Sequence, residues 1–207
     1  MTSQPDGSPS ESTISRLSRQ IEFSLEIDKL KGVLRQTVLL DSSRQENVAE
    51  HSWHIAVMAG LLREYAIEPV DVDHAIRMLL VHDLVEIDAG DVMIYHRARR
   101  EEMKKREEEA ARRIFGLLPA DQAREMRNLW DEYEARETPE ARFAYALDRI
   151  QPLLHNLNTK GLMWRKHGIS RDQVIEMNIP IRDAAPALWE YVSALIDEAA
   201  DKGYLRR

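Results

Sequence analysis

The stretch LLVHDLVEIDAGD, residues 79–91, places a histidine and four carboxylates directly behind an apolar run. The apolar residues before it recur at the three- and four-residue spacing of a helix: Ala75, Ile76, Leu79 and Leu80. This pattern predicts a buried helix over residues 72–87 with His82 and Asp83 near its end. A carboxylate behind such a run is costly to bury unless it is paired or coordinates a cation.

Helical spacing continues along most of the chain, and capping residues mark where helices begin. Asn47 with Glu50 and Ser170 with Gln173 have capping-box spacing. Favoured N-cap residues precede three further segments: Asp71, Thr138 and Asp183. The predicted helices cover 14–31, 47–65, 72–87, 98–116, 119–134, 139–158, a short segment from 170, and 183–202. Neither a strand alternation nor a fixed repeat is found, so we predict an all-α fold, a bundle of about eight helices.

The chain has 207 residues, of which 43% are hydrophobic and 31% charged, the balance of one globular domain. Residues 1–13 are rich in Ser, Thr, Pro and Gly and are predicted to form a flexible arm. We expect residues 14–207 to form a single helical domain. Between its first two helices, the link 32–46 is predicted to be a long functional loop.

Composition also excludes several classes of partner and site. No cysteine is present, which excludes disulfides and thiolate ligands and favours a cytoplasmic location. No apolar run is long enough for a membrane span, and no secretory signal is recognised. A net charge of -7 argues against a nucleic-acid polymer as partner. The mixed-sign run 97–113 has the pattern of a solvated helix face.

Two further residues join His82 and Asp83 as candidates for a metal centre. His51 lies near the start of its predicted helix, and Asp148 lies inside the apolar run FAYALDRIQPLLHNL, residues 143–157. Buried acids beside histidines need a shared counter-charge, which a divalent cation supplies. Pro152, four residues after Asp148, lacks the N–H that would bond its carbonyl and predicts a kink there. Each residue alone is more often a packing residue, and only the combination favours a site.

The order His51, His82-Asp83, Asp148 resembles the HD-domain superfamily of metal-dependent phosphohydrolases. The contexts ENVAEHSWHIA (46–56) and LLVHDLVEIDAGD are similar to the branch that contains bacterial 5'-deoxynucleotidases. The resemblance covers roughly residues 28–160 and implies an HD-type helical domain. It implies that the four motif residues hold one divalent ion, whether Mn, Co, Zn, Mg or Fe. A homodimer is implied in the same way.

The resemblance also implies roles for three other residues. Glu86 and Asp91 correspond to acids that position or activate the attacking water, and Arg35 corresponds to an arginine that holds the substrate phosphate. Asp91 follows a glycine and could equally be a turn residue. His54, one turn after His51, is expected to pack beside the site or support it. A tryptophan that helps select deoxyribose in the branch is replaced here by Gln36.

These residues predict a phosphomonoesterase that acts on a nucleoside 5'-monophosphate, with ribose or deoxyribose left open by Gln36. Hydrolysis of a cyclic nucleotide is one alternative within the superfamily. An alarmone is another, although alarmone hydrolases carry Glu-Asp shortly after the HD pair where this chain has Glu86 and Ile87. The alternative from another class is a non-catalytic helical module that keeps the metal pocket as a sensor or a structural staple.

Overall fold

The computed structural model describes residues 12–91 and 100–206, and most of them are helical. The α-helices in chain order are α1 (Thr13–Ile27), α2 (Val48–Leu62), α3 (Val72–Val81), α4 (Glu86–Ala89), α5 (Arg100–Phe115), α6 (Ala120–Ala135), α7 (Pro139–Asn158), α8 (Leu162–His167), α9 (Arg171–Ala184) and α10 (Pro186–Asp201). The predicted all-α fold class is therefore confirmed. The predicted N-terminal arm lies outside the described residues as far as residue 11, and residues 12 and 13 already cap and begin α1.

Most of the predicted helix starts are confirmed by side-chain hydrogen bonds. The Asn47 side chain accepts from the Glu50 backbone N–H, while the Glu50 carboxylate accepts from the Asn47 N–H. Ser170 and Gln173 make the same reciprocal pair at the start of α9. Each pair satisfies two backbone donors that a helix start leaves unbonded. The first of them fixes the entry to α2, one turn before His51.

The link 32–46 is not a structureless loop, and the expectation that no strands occur is wrong. Strand β1 (Leu34–Val38) pairs in antiparallel fashion with β2 (Gln45–Asn47), with an irregularity in their register. The Val48 N–H also bonds the Val33 carbonyl, so the hairpin is tied to the start of α2. The hairpin therefore fixes Arg35 on β1 and Glu46 on β2 relative to the start of α2.

Several helix ends differ from the prediction for local reasons. The helix predicted over 72–87 ends at Val81, and a one-turn helix, α4, follows after a break at 82–85. Asp183 does not cap the last helix: it lies inside α9, and α10 begins with Pro186 at its first position. Short 3₁₀ segments, Asp28–Gly32 and Arg63–Tyr65, follow α1 and α2. Helix α8 is an addition to the predicted set.

Helix α7 lies at the centre and carries the interior residues that organise the site. It packs against α2, α3, α6, α9 and α10. Phe143, Ala144 and Leu147 on this helix are almost completely buried, as are Ile55 of α2 and Leu79 of α3. Helix α7 remains continuous from Pro139 to Asn158, so Pro152 does not interrupt it. Helices α2 and α3 therefore meet α7 at a point where their polar side chains are enclosed by apolar packing.

Candidate metal centre and active site

The four predicted ligand residues lie together although they are far apart in the chain. His51 comes from the first turn of α2, His82 is the C-cap of α3, Asp83 follows it, and Asp148 comes from the middle of α7. His51 Nε2 lies 2.9 Å from Asp148 Oδ1 and 3.9 Å from Asp83 Oδ2. His82 Nε2 lies 3.1 Å from Asp83 Oδ1. The break between α3 and α4 is what turns Asp83 toward the other three side chains.

The protonation of both histidine rings is set by their second nitrogen atoms. His51 Nδ1 lies 3.1 Å from the Gln151 side-chain oxygen, and His82 Nδ1 lies 2.7 Å from the Leu79 carbonyl. Both of these oxygens only accept hydrogen bonds, so each Nδ1 carries the proton. Burial, and then the charge of Arg35, lowers the pKa of His51 to about 4, which leaves the ring neutral near pH 7. Each Nε2 is therefore the nitrogen that faces the centre of the cluster, where a cation would take its lone pair. Burial lowers the pKa of His82, but the charge of Asp83 outweighs burial and raises that pKa above its usual value.

The ligand atoms of His51, His82 and Asp83 all lie within 4.8 Å of one another, which fits one divalent ion, and Asp148 Oδ1 approaches the group beside His51. Ligand atoms about 2.0–2.2 Å from an ion and at right angles to each other are about 3 Å apart, close to the two shortest distances here. Without a cation, each Nε2 would face a carboxylate oxygen directly, and His82 Nε2 is buried 3.1 Å from Asp83 Oδ1 without the geometry of a hydrogen bond. Imidazole nitrogen with carboxylate oxygen is a donor set that suits Zn, Mn, Co or Fe. The residues present thus fit the expected metal.

The cluster opens into a cavity of about 160 Å³. Its charged lining consists of four acids and two arginines: Asp83, Glu86, Asp91, Asp148, Arg35 and Arg149. If all are ionised, two positive and four negative charges leave a net charge of -2, which one divalent cation would balance. Apolar, amide and hydroxyl residues form the remaining wall: Gln36, Thr37, Pro152, Leu153, Asn156, Met163, Trp164, Met177 and Asn178. Such a cavity has room for a small anion beside a metal and an apolar face for the rest of a ligand.

Glu86 and Asp91, predicted as catalytic acids, both line this cavity. Burial, together with the neighbouring charge of Asp83, raises the pKa of Glu86 well above its usual value, and one of its oxygens has no hydrogen-bond partner. Burial also raises the pKa of Asp91. Asp91 Oδ2 accepts a hydrogen bond of 3.2 Å from the Gln36 backbone N–H. Asp91 therefore joins the hairpin to the site.

Arg35, predicted to hold phosphate, lies on β1 with its guanidinium among three acids. Its Nη1 donates to Asp83 Oδ2 at 3.3 Å and lies 4.0 Å from Asp91 Oδ1, while its Nε lies 3.5 Å from Glu46 Oε2. Only 11% of the side chain is exposed. These are long contacts for a guanidinium, so its donors remain available to a stronger acceptor.

Two residues that contact Asp148 were not predicted from the sequence, Tyr133 and Arg149. The Tyr133 hydroxyl donates to Asp148 Oδ2 at 3.0 Å, and Arg149 donates to the same oxygen at 2.6 Å. Arg149 also lies over the Tyr145 ring, 4.7 Å from its centroid. Burial raises the pKa of Asp148, but Arg149 and His51 outweigh it and hold that pKa well below the usual value. Asp148 thus stays ionised, with Oδ1 facing His51 and Oδ2 accepting hydrogen bonds from Tyr133 and Arg149.

The model of the HD-domain family matches residues 27–189, and the chain belongs to that family. The match includes all four ligand candidates as well as the hairpin and α9. No helix among residues 12–91 and 100–206 is long and apolar enough to cross a membrane.

Individual proteins similar to this chain include 5'-deoxynucleotidases and a solved phosphohydrolase structure. The human 5'-deoxynucleotidase HDDC2 is 35% identical over 135 residues, 65% of this chain and 65% of the human protein. The Xenopus laevis 5'-deoxynucleotidase HDDC2 is 30% identical over 179 residues, 86% of each chain. The chain thus spans just under two thirds of the human relative. A crystal structure described as a predicted metal-dependent phosphohydrolase from Magnetospirillum magnetotacticum is 55% identical, with a TM-score of 0.90, and covers 95% of this chain and 99% of that one.

Proposed function

We propose that the protein is a metal-dependent phosphomonoesterase that releases phosphate from nucleoside 5'-monophosphates. The observation that carries the proposal is the convergence of His51, His82, Asp83 and Asp148 at one wall of a cavity that also contains Arg35 and Glu86. The 5'-deoxynucleotidase relatives support the choice of a nucleotide as substrate. In this proposal the four convergent residues hold one divalent ion.

The bound ion supplies a Lewis acid that makes a water nucleophilic near neutral pH and polarises a phosphoryl oxygen. Gln151 and the Leu79 carbonyl keep His51 and His82 in the tautomers that ligation needs. Tyr133 and Arg149 hold Asp148 from its far oxygen, so that Oδ1 remains free to bind. The protein's contribution to the metal is therefore a set of side chains already aimed at one point.

Glu86 is proposed to accept the proton of the attacking water. It lies at the start of α4, three residues after Asp83, and lines the same cavity. A general base works best when its pKa approaches the working pH, and burial moves the Glu86 pKa in that direction. Asp91 is proposed to orient the water or the substrate from the hairpin side.

Arg35 is proposed to bind the phosphate oxygens as the bond to the leaving alcohol breaks. A dianionic phosphate is a stronger acceptor than the acids that lie 3.3–4.0 Å from the guanidinium. Glu46 and Asp91 would then hold the arginine in place while Nη1 turns toward the ligand. This follows the general pattern of phosphoryl transfer, in which positioning and charge neutralisation provide most of the rate enhancement.

The direct test is phosphate release by metal-stripped protein resupplied with Mn, Co, Zn or Mg. The substrates are ribose and deoxyribose nucleoside 5'-monophosphates, because residue 36 is glutamine. We expect release only with metal, and for Glu86→Gln a loss of about 10²- to 10⁴-fold in kcat with metal binding retained. Glu102→Gln, an exposed change on α5, is the matched control. Metal binding without release of phosphate from any of these substrates would refute the proposed activity and favour a metal-bound sensor.

We also propose one domain for residues 14–207, a homodimer and a cytoplasmic location. One hydrophobic cluster runs from Phe23 to Leu205, which supports the single domain. An apolar stripe on α1 that is 50–72% exposed supports a partner surface: Ile14, Leu17, Ile21 and Leu25. Light scattering coupled to gel filtration measures the mass in solution, and a mass near 24 kDa, that of a single chain, would refute the dimer.

A further inference from the structure

Gln151 is a completely buried amide on α7, one turn beyond Asp148. Its oxygen lies 3.1 Å from His51 Nδ1. Its nitrogen donates to Glu46 Oε1 at 2.5 Å and lies 3.0 Å from His155 Nε2. The amide therefore separates the metal cluster from a second group of polar side chains beneath the hairpin.

The orientation of this amide is determined from the hairpin side. His155 Nδ1 lies 2.9 Å from the Val38 carbonyl, which only accepts, so Nδ1 carries the proton and Nε2 carries a lone pair. The His155 lone pair and the Glu46 carboxylate both need a donor from Gln151. The NH₂ group must face them, and the amide oxygen must face His51.

This orientation determines which nitrogen of His51 can bind a metal. With the amide oxygen against Nδ1, His51 carries a proton on Nδ1, and its Nε2, 2.9 Å from Asp148 Oδ1, is the nitrogen whose lone pair a cation between the two would take. A flipped amide would donate to Nδ1 instead, move the proton to Nε2, and block ligation. A series of hydrogen bonds thus runs from the Val38 carbonyl through His155 and Gln151 to His51, a proposed metal ligand.

We propose that Gln151, oriented by Glu46 and His155, is the positioning residue that keeps His51 in its metal-binding tautomer. The inference rests on the proposed metal ligands and adds a residue that the sequence motif does not contain. Glu46 also lies 3.5 Å from Arg35 Nε, so the same carboxylate contacts the amide behind the metal and the proposed phosphate arginine. Glu46 thereby contacts residues of both the proposed metal site and the proposed phosphate site.

The same contacts explain why a neighbouring group of possible ligands is not a second metal site. Glu46, His54 and His155 bring three ligand atoms within 4.8 Å of one another. The Gln151 nitrogen lies 2.5–3.4 Å from an atom of each of these residues. It occupies the position of a cation, and removing it to admit a second ion would release the His51 tautomer. We therefore expect one metal equivalent per chain.

The test combines ring ¹⁵N NMR of the metal-free protein with metal affinity from competition against a chromophoric chelator. Wild type should show His51 protonated on Nδ1. Gln151→Met should show a mixture of tautomers and an affinity about 10- to 100-fold lower, the usual cost of losing such a support. Exchanging the pair, with Gln151→Glu and Glu46→Gln together, returns an acceptor to His51 and should restore affinity to within about fivefold of wild type. Gln122→Met, which removes an amide paired with Gln20 far from the site, is the control.

Three outcomes would overturn the inference. One is His51 without a proton on Nδ1 in metal-free wild type, a measurement that needs no variant to fold. Another is Gln151→Met with the wild-type tautomer and unchanged affinity. The third is binding of two metal equivalents, with the second lost in His155→Gln. None of these measurements uses a substrate, so failure of the proposed phosphatase activity would leave the inference standing, and the reverse also holds.

Discussion

Replacing His82 with asparagine separates metal binding from folding. Asparagine places an N–H near the position of His82 Nδ1, so the hydrogen bond to the Leu79 carbonyl, 2.7 Å in the structure, can be kept. The ring atoms beyond it are lost, and Nε2 is lost with them. That atom is buried 3.1 Å from Asp83 Oδ1 without the geometry of a hydrogen bond, and a buried polar atom that makes no hydrogen bond costs about 1–3 kcal/mol. Its removal offsets the packing lost against the Tyr133 ring, 4.7 Å away.

The magnitude follows from linkage between binding and folding. Metal at 100 times its Kd stabilises the wild type by about 2.7 kcal/mol, or about 5–11 °C in Tm for a chain of this size. Loss of one ligand should weaken binding by at least about 100-fold, the upper end of what a supporting residue costs. The same metal concentration then equals the variant's Kd and contributes only about 0.4 kcal/mol, or about 1–2 °C.

The assay is a thermal melt of His82→Asn and wild type, each metal-stripped and then resupplied with one metal. Without metal the two Tm values should agree within about 4 °C. His167→Asn, at an exposed histidine on α8, should keep the full metal-dependent increase. A metal-dependent increase in His82→Asn equal to that of wild type would refute the ligand assignment and the reasoning behind the whole centre.

Three further substitutions test other parts of the site. Burial raises the pKa of Glu46 from 4.5 to about 7, so its stabilising effect is present below pH 4.5 and lost as pH rises through 7. In urea unfolding without metal, the free energy of unfolding of Glu46→Gln should exceed that of wild type by more at pH 8 than at pH 5, with a difference of up to about 3 kcal/mol. An equal excess at both pH values would contradict the raised pKa. Arg35→Met should lower kcat/KM by about 10- to 150-fold at saturating metal, the value of a charged hydrogen bond; saturating metal is needed because Arg35 also donates to the proposed ligand Asp83. Unchanged steady-state kinetics would remove Arg35 from phosphate binding. Tyr133→Phe loses the 3.0 Å hydrogen bond to Asp148 and should weaken metal binding by about 10- to 100-fold in chelator competition, and unaltered affinity would contradict that support.

The helices and the positions of the four ligand candidates could be predicted because each depends on local chemistry. Capping residues such as Asn47 act within one turn, and the cost of burying Asp148 can be read from the apolar residues around it. The same argument would have found Gln151, which lies in the same apolar run and is completely buried. An uncharged amide costs less to bury than a carboxylate, so the sequence marks Gln151 less strongly than Asp148.

The hairpin and the hydrogen bonds to Asp148 Oδ2 could not be predicted from local sequence chemistry. Strand β2 has only three residues, too few for an alternating pattern to be recognised. Tyr133 lies 15 residues before Asp148, on another helix, and only the packing of α6 against α7 brings the hydroxyl to the carboxylate. At the last helix, Asp183 was chosen as the cap although Pro186, a favoured first-turn residue, marked the start.

The proposed metal ligands and the proposed phosphate arginine belong to parts of the fold with very different tolerance to change. His51, His82 and Asp148 lie on or at the ends of packed helices and are nearly inaccessible. Arg35 and Gln36 belong to a two-stranded hairpin whose outer residues, such as Leu34, are half exposed. Substitutions of hairpin residues that line the cavity, such as Gln36, can therefore alter which phosphate ester is accepted, whereas Glu46 and Asn47 support the proposed metal centre and have to be kept. For directed evolution, residues 36 and 37 are the positions to randomise, since they line the cavity and belong to neither support.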